Sequence, residues 1–552
     1  MCWLPSLPGC SECRSRVRSY DRPMRKLFAV LLLFGLPLSA NEVSFHSLQS
    51  GWVGTATPLT DHGLHGEGQI IAVLDTGLDY DNCFFAEADG SAPPINVGTP
   101  AGGFAWTNIA PSRRKVIAYD FLYSCAQFPG APYCENPADQ TVYDNQGHGT
   151  HAAAAAAGDR ATPVAHDYGD ALASGAKLVI QDAGLSPLDS CTSRPGIGCP
   201  VKLTPILDQA YKQGARIHSN SWGDHGAPTA SYSQATRDLD AFVYSHPDML
   251  VVFNTGNFGS PGTPPPSTLS SPGCAKNSLQ VGGTRQDFRD DSVLTSYTLY
   301  GPARDGRIKP DVVGPSYVLA GDSDFDVRTK TCDLSYQPGT SWASPSIAGA
   351  AALVRQYYTD GYYPSGYPTP ADRFTPTAAL LKATIIAATR AVPIHATLNG
   401  ADTAALPVPS IEQGWGFPVL DDALYFPGDK SHVKVVEGDV ALGQTVTLRL
   451  QVNAGTPLRA VLVWTDPPGD VTTGTSSNLV NDLDLRIGSL PSQADHINNV
   501  EVINIASPVS GTVSIDVTGA RLGFGATQSY ALVVTGDVSS APALRSRAVR
   551  AR

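Results

Sequence analysis

Up to about residue 425, short apolar runs alternate with amphipathic or alanine-rich stretches. The clearest run, residues 69–74, ends at Asp75, and similar runs occupy residues 177–180 and 249–253. Short β-branched runs of this kind are typical of buried strands in a parallel sheet. Helical patterns lie at residues 148–158, 202–214, 232–245, 341–358 and 376–389. The alternation predicts an α/β fold with a mostly parallel sheet flanked by helices.

The pattern changes near residue 425 to short segments of alternating apolar and polar residues, separated by turn-forming residues. These segments are residues 445–452, 458–464, 511–517 and 529–534. Such a series is typical of an antiparallel β-sandwich. We therefore predict an α/β domain over residues 41–427 and a C-terminal β-sandwich over residues 428–536. Residues 537–552 are rich in arginine and poor in apolar residues, which predicts a flexible basic tail.

The N-terminal segment has the pattern of a secretory signal peptide. Arg25 and Lys26 precede an apolar run at residues 27–38, and Ala40 offers a small residue for cleavage. We expect residues 1–40 to be a leader whose translation starts at Met24. The alternative is an uncleaved anchor, but the run is short for a bilayer. The pattern predicts a protein secreted to the extracellular space or the periplasm, with no stable membrane insertion after cleavage.

Composition narrows the class of protein. The 552 residues are 42% hydrophobic and 16% charged, which fits a folded globular chain of more than one domain. The formal net charge of −12 argues against general nucleic-acid binding. We expect a soluble monomer.

Seven cysteines follow Ala40, so at least one is unpaired or bonds to another chain. Export would place them where disulfides persist. Cys125–Cys134 and Cys191–Cys199 are plausible local pairs, but the sequence leaves the connectivity open.

Asp75 and His148 are the first two candidates for catalytic chemistry. Asp75 follows a predicted strand directly, and the carboxyl ends of strands face the functional crevice in open α/β sheets. A cap or turn is the alternative for Asp75. His148 lies between two glycines and before a run of alanines, which leaves its imidazole unobstructed. A metal site formed by His148 and His151 is a weaker alternative, since the chain has no H-E-x-x-H motif there.

Ser341 and Asn257 complete the candidate set. Ser341 follows Gly-Thr and begins an apolar helix, where backbone N–H groups stabilise developing negative charge. A serine nucleophile needs a base, and the base needs an orienting carboxylate. Asn257 follows the third apolar run and has an amide that could donate to an oxyanion. Ordinary helix capping and turn formation are the structural alternatives.

The motifs around these residues resemble those of the subtilisin-like serine peptidases. They are LDTG at 74–77, GHGTH at 147–151, SNSWG at 219–223, TGN at 255–257 and GTSWASP at 339–345. The order Asp, His, Ser along the chain is also that of subtilisin. Within the family, the chain looks most like the KP-43-like alkaline proteases with a C-terminal β-sandwich, and this resemblance implies that the sandwich is jelly-roll-like. Segments 413–424, 462–469, 479–485 and 498–501 carry that similarity.

The resemblance implies a role for each candidate. Asp75, His148 and Ser341 would form a catalytic triad, and Asn257 would contribute to the oxyanion site. The segment Ser221, Trp222 and Gly223 would line the substrate channel and pair with an extended peptide. Proteins or peptides would be the substrates, with broad specificity. The family usually has methionine after the catalytic serine, and this chain has Trp342 there.

We expect no cofactor for the chemistry, but we expect calcium bound in a structural role. Asp482 and Asp484 are two residues apart, so a strand would place both carboxylates on one face. Asn481, Asn498 and Glu501 could add oxygen ligands of the type that calcium prefers.

Two other functions remain open. The chain could be a catalytically inactive protein that binds through its sandwich, although the complete triad argues against it. It could also transfer the acyl group to an amine and act as a ligase or cyclase.

Overall fold

The computed structural model describes residues 40–51, 56–97, 107–122, 144, 146–162, 166–184, 203–223, 230–258, 266–285, 293–395, 402–472, 474, 476–490 and 495–541. The predicted leader and the cysteine pairs Cys125–Cys134 and Cys191–Cys199 lie outside these residues. None of the described helices is long and apolar enough to cross a membrane.

A nine-stranded sheet forms the centre of the α/β part. Its strands are β1 (Ile70–Asp75), β2 (Ile95–Val97), β3 (Val116–Phe121), β4 (Lys177–Asp182), β5 (Ile217–Asn220), β6 (Leu250–Asn254), β7 (Leu279–Arg285), β8 (Val293–Leu294) and β9 (Val312–Pro315). The order is β2-β3-β4-β1-β5-β6-β7-β8, and β9 also pairs with β7. Every pairing is parallel except that between β7 and β8. The central strands are buried because their side chains are apolar on both faces.

Seven helices are described. They are α1 (Ala40–Ser50), α2 (Pro58–Asp61), α3 (His148–Ala157), α4 (Leu203–Lys212), α5 (Gln234–Ser245), α6 (Thr340–Thr359) and α7 (Ala378–Ala387), with 3-10 turns at Pro370–Asp372 and Leu420–Asp422. The alanines of α3 and the small residues at the start of α6 are buried, so the two helices pack closely. The five predicted helices are present, and each begins and ends within two residues of its predicted ends.

Short antiparallel pairs complete the α/β part. They join β10 (Tyr317–Gly321) to β11 (Leu334–Pro338), β12 (Thr389–Arg390) to β15 (Phe417–Pro418), and β13 (Pro393–His395) to β14 (Asp402–Ala405). The β10–β11 hairpin leads directly into α6. Among the described cysteines, Cys83 bonds to Cys332 and anchors the chain just before this hairpin's second strand. Cys274 is a buried free thiol.

The C-terminal part is a β-sandwich of two four-stranded antiparallel sheets, in the orders β16-β22-β18-β20 and β19-β21-β17-β23. Its strands are β16 (His432–Ala441), β17 (Thr445–Val452), β18 (Leu458–Val463), β19 (Asn481–Ile487), β20 (Val500–Ile505), β21 (Gly511–Leu522), β22 (Thr527–Gly536) and β23 (Val538–Ser540). The predicted fold class, an α/β part followed by a β-sandwich, is confirmed.

The start of the predicted basic tail requires a correction. Residues 538–540 form β23, which pairs antiparallel with β17 and lies inside the region predicted to be flexible. Val538 is 4% exposed and belongs to the sandwich core, so backbone pairing and one buried side chain both hold this short strand. The described chain continues only to residue 541.

The sandwich and the α/β part share a hydrophobic core. Helix α7 packs against β18 and β22, and valines of that sheet's outer face belong to the same cluster as the α/β core. A second cluster lies between the two sheets of the sandwich. The described residues all belong to one compact unit.

Candidate active site

The candidate residues meet at the carboxyl edge of the central sheet. Asp75 is the last residue of β1, and Ser221 follows β5 directly. Asn257 comes three residues after β6. His148 is the first residue of α3, and Ser341 is the second residue of α6. Parallel strands that end at one edge, with helix N-termini beside them, are the usual setting of a site in an open α/β sheet.

Asp75 and His148 are directly hydrogen-bonded. His148 Nδ1 lies 2.6 Å from Asp75 Oδ1, and the Asp75 side chain is only 3% exposed, against 32% for the imidazole. Burial alone would lower the pKa of His148, but the negative charge and hydrogen bond of Asp75 raise it overall. The imidazole is thus held by one nitrogen, with its Nδ1–H donating to the carboxylate.

Glycines allow α3 to begin close to the Asp75 turn. Gly147 caps the helix in the left-handed region, with φ of 71°. Gly149 packs so closely on the backbone of Gly77 that a Cβ atom would overlap the Gly77 carbonyl oxygen. A larger residue at position 149 would therefore force the start of α3 and the Gly77 backbone apart.

A second carboxylate, Asp144, supports the same turn and was not predicted from the sequence. Its Oδ1 accepts hydrogen bonds from Thr76 Oγ1 (2.9 Å) and the Gly147 N–H (2.9 Å). Its Oδ2 accepts from the Thr150 N–H (2.8 Å) and Thr150 Oγ1 (2.7 Å). Asp144 therefore ties the residue after Asp75 to the first turn of α3, and so fixes the spacing of the carboxylate and the imidazole.

Ser341 lies in the first turn of α6 and is 7% exposed. Its hydroxyl lies 3.4 Å from the carbonyl oxygen of Ser221, while Ser221 Oγ donates to the Ser341 carbonyl at 2.6 Å. Within the described part of the chain, no hydrogen bond joins Ser341 to His148. Long or unformed hydrogen bonds between nucleophile and base are common in sites without substrate.

Asn257 is oriented by the segment that leads into α6. Its Oδ1 accepts hydrogen bonds from the Thr340 N–H (2.9 Å) and Thr340 Oγ1 (3.0 Å), which directs Nδ2 away from Thr340. A Cβ atom built on Gly339 would lie 3.6 Å from Asn257 Nδ2 and 3.8 Å from the Ser341 backbone nitrogen. Both nitrogens therefore lie close to the space that Gly339 leaves open.

Trp342 fills the space beneath the imidazoles. Its ring centroid lies 4.7 Å from that of His148 and 4.3 Å from that of His151. His151 Nε2 donates to the Val318 carbonyl at 3.2 Å, and Nδ1 lies 3.4 Å from Ser335 Oγ. Burial lowers the pKa of His151 to about 3, so it is a neutral, hydrogen-bonded core residue. These contacts disfavour the alternative of a His148–His151 metal site.

The predicted substrate segment lies beside Ser341. Ser221 is buried, and Trp222 and Gly223 are partly exposed. The Trp222 ring packs edge-on against Phe253 at 5.3 Å between centroids. A Cβ atom on Gly223 would lie 2.6 Å from Ser270 Cβ, so this backbone approaches the neighbouring loop closely.

Only some of the sandwich residues predicted to bind calcium form a cluster in the described structure. Asp482 and Asp484 lie side by side on β19, and His496, which was not predicted, joins them. The other predicted oxygen ligands already accept hydrogen bonds from backbone N–H groups. These bonds run to Asn481 from Phe524, to Asn498 from Ile308, and to Glu501 from Leu485 and Asp495.

Comparison with known proteins gives several similarities. The protein tagA of Dictyostelium discoideum, described as a serine protease/ABC transporter B family protein, is 26% identical over 90% of this chain and 32% of its own length. Subtilisin BL of Lederbergia lenta is 25% identical over 54% of this chain and 79% of its own. The solved serine protease of Aeromonas sobria is 15% identical, with a TM-score of 0.41 over 91% of this chain and 95% of that chain.

The chain spans about a third of the length of the Dictyostelium relatives that it matches. The family model described as the subtilase family, Peptidase S8, matches residues 66–416, which is more than half of the chain. This match confirms the family indicated by the sequence motifs, while the KP-43-like subgroup stays a prediction. The chain belongs to the subtilase family of serine proteases.

Proposed function

We propose that this subtilase is a secreted serine endopeptidase whose catalytic triad is Asp75, His148 and Ser341. The observation that carries the proposal is the 2.6 Å hydrogen bond between the buried Asp75 carboxylate and His148 Nδ1, at the sheet edge where Ser341 begins α6. That hydrogen bond leaves His148 Nε2 as the nitrogen that accepts a proton.

In the proposed reaction, Ser341 Oγ attacks a peptide carbonyl and transfers its proton to His148 Nε2. Asp75 stabilises the imidazolium that forms. Asn257 Nδ2 and the Ser341 N–H donate to the oxyanion of the tetrahedral intermediate. His148 then gives the proton to the leaving amine, and water hydrolyses the acyl-enzyme by the same steps in reverse order.

The proposed substrates are proteins and peptides in extended conformation. Pairing of the substrate backbone with Ser221, Trp222 and Gly223 would use few side-chain contacts, which favours broad specificity. The signal-peptide pattern at residues 24–40 supports secretion. The C-terminal sandwich supports assignment to the KP-43-like subgroup.

The test is covalent labelling of the purified protein with a fluorophosphonate, with casein hydrolysis measured in parallel. We expect labelling and hydrolysis in the native chain, and loss of both in Ser341→Ala. Ser346→Ala is the matched control, because Ser346 lies on the same helix but its hydroxyl donates to the Trp342 carbonyl at 2.8 Å.

Failure of the folded native chain to label would contradict the proposal and favour an inactive binding protein. Labelling without casein hydrolysis, together with amide products in the presence of added amines, would favour the acyl-transferring ligase. Mass spectrometry of the products separates hydrolysis from aminolysis.

A further inference from the structure

Three side chains with metal-binding groups converge at one edge of the sandwich. Asp482 and Asp484 point to the same face of β19, while Leu483 and Leu485 fill the sandwich core on the other. The turn that precedes β20 lies over this face. In that turn, His496 Nδ1 lies 2.8 Å from Asp482 Oδ2. One ligand atom from each of the three lies within 4.8 Å of the others.

Two carboxylate oxygens in this cluster have no hydrogen-bond partner. The Asp482 side chain is 4% exposed, and although its Oδ2 contacts His496, its Oδ1 has no partner among the described residues. Asp484 Oδ1 is likewise buried and without a partner there. Burying a carboxylate oxygen without a hydrogen-bond donor costs free energy, and a bound cation would offset that cost.

Neighbouring basic side chains do not supply the missing positive charge. The nearest arginines do not neutralise Asp482 or Asp484, because their guanidinium groups are engaged elsewhere. Arg486 donates to Asp516, and Arg521 donates to the carbonyl oxygens of Leu479 and Val480.

We propose that Asp482, Asp484 and His496 bind one divalent cation of the zinc type. An imidazole nitrogen with two carboxylates suits zinc and similar transition metals. Calcium instead takes six to eight oxygens, and the nearby oxygens of Asn481, Asn498 and Glu501 are already hydrogen-bonded to backbone. The imidazole is the feature that distinguishes this site from the calcium site expected from sequence.

The cation would join two segments that also contact the α/β part. His496 lies in the turn before β20, and Asn498 Oδ1 in the same turn accepts a hydrogen bond from the Ile308 N–H at 2.8 Å. Fixing His496 to β19 would therefore fix this contact as well. Because the bound cation stabilises only the folded state, it should raise the unfolding temperature.

The experiment uses the full chain carrying Ser341→Ala, so that self-digestion does not interfere, after treatment with a chelator. Calorimetric titrations with Zn²⁺ and with Ca²⁺ are compared, and thermal unfolding is followed with each metal. Co²⁺ in place of Zn²⁺ reports imidazole ligation through its visible absorption. The variants are Asp482→Asn/Asp484→Asn and His496→Gln, with His432→Gln, the other histidine of the sandwich, as control.

We expect one equivalent of Zn²⁺ to bind and to raise the unfolding temperature. Binding should weaken by more than about 10-fold in His496→Gln and in the double variant, and remain in the control. The His496 side chain is 61% exposed, so its replacement should leave the apo protein folded, as circular dichroism would show. Zn²⁺ binding unchanged in His496→Gln, no saturable binding, or preference for Ca²⁺ independent of His496 would each overturn the proposal.

Discussion

Lys276 and Asp466 form an enclosed ion pair where the sandwich meets the α/β part. Both side chains are 0% exposed, and Lys276 Nζ lies 2.5 Å from Asp466 Oδ2. The same ammonium donates to the carbonyl oxygens of Pro467 (2.5 Å) and Asn478 (2.9 Å). We predict that Lys276→Met strongly lowers the free energy of unfolding, because it leaves a buried carboxylate without its counter-charge.

The expected magnitude follows from the complete burial of the pair. Removing one member of such a pair costs about 3–5 kcal/mol. Burial raises the pKa of Asp466, although the Lys276 ammonium and the N–H groups of Val480 and Asn481 act to lower it. Desolvation is thus the larger effect. Each single change leaves one buried charge without its partner, whereas the double variant Lys276→Met/Asp466→Asn removes both charges. The double variant should therefore cost less free energy of unfolding than the sum of the two single changes, by roughly 0.5–3 kcal/mol.

Urea unfolding followed by tryptophan fluorescence, in the Ser341→Ala background, measures these differences. Arg390→Met is the control, since the Arg390–Asp422 pair is 45% and 39% exposed. An exposed pair contributes about 0–1 kcal/mol. The reasoning is refuted if Lys276→Met costs no more than this control, or if the two single changes at the buried pair are simply additive.

Three further predictions concern the proposed reaction. Asp75 raises the pKa of His148 above its ordinary 6.5, and only neutral His148 accepts the proton, so kcat/KM should fall as pH drops through a midpoint above 6.5; an optimum below about pH 5 would contradict this. Asn257→Ala should lower kcat by about 10²–10³ with little change in KM, and a loss below about tenfold would exclude the oxyanion role. Mild peroxide should inactivate the native chain more slowly than Trp342→Met, because methionine forms a polar sulfoxide; equal rates would count against this explanation.

The α/β fold could be predicted from sequence because its central strands are buried on both faces. Residues 70–74 and 250–253 therefore appear as continuous apolar runs, which amphipathic surface strands would not. The sandwich was equally visible through its alternation. Strand β23 was missed because three residues with one apolar side chain give no periodic signal, and only pairing with β17 reveals them.

The candidate triad was predictable because each member lies in a short motif at an element boundary. The contacts that support the triad and the domain junction were not predictable, because they join residues that are distant in sequence. Asp144 contacts Thr76 from 68 residues away, and Lys276 meets Asp466 from 190 residues away. His496 carried no signal of its own, since a lone histidine before a strand becomes a candidate ligand only when the fold places it over Asp482.

The sandwich is a structural part of the α/β unit and not an appended module. Its β16-β22-β18-β20 sheet presents Val461, Val463 and Val533 to the main core, where β18 and β22 cover helix α7. Without the sandwich, the apolar face of α7 that β18 and β22 cover would be exposed, and Lys276 would lose its carboxylate and both carbonyl acceptors. The boundary at residues 427 and 428 therefore separates two architectures that stabilise each other, and residues 41–427 alone lack part of their own core.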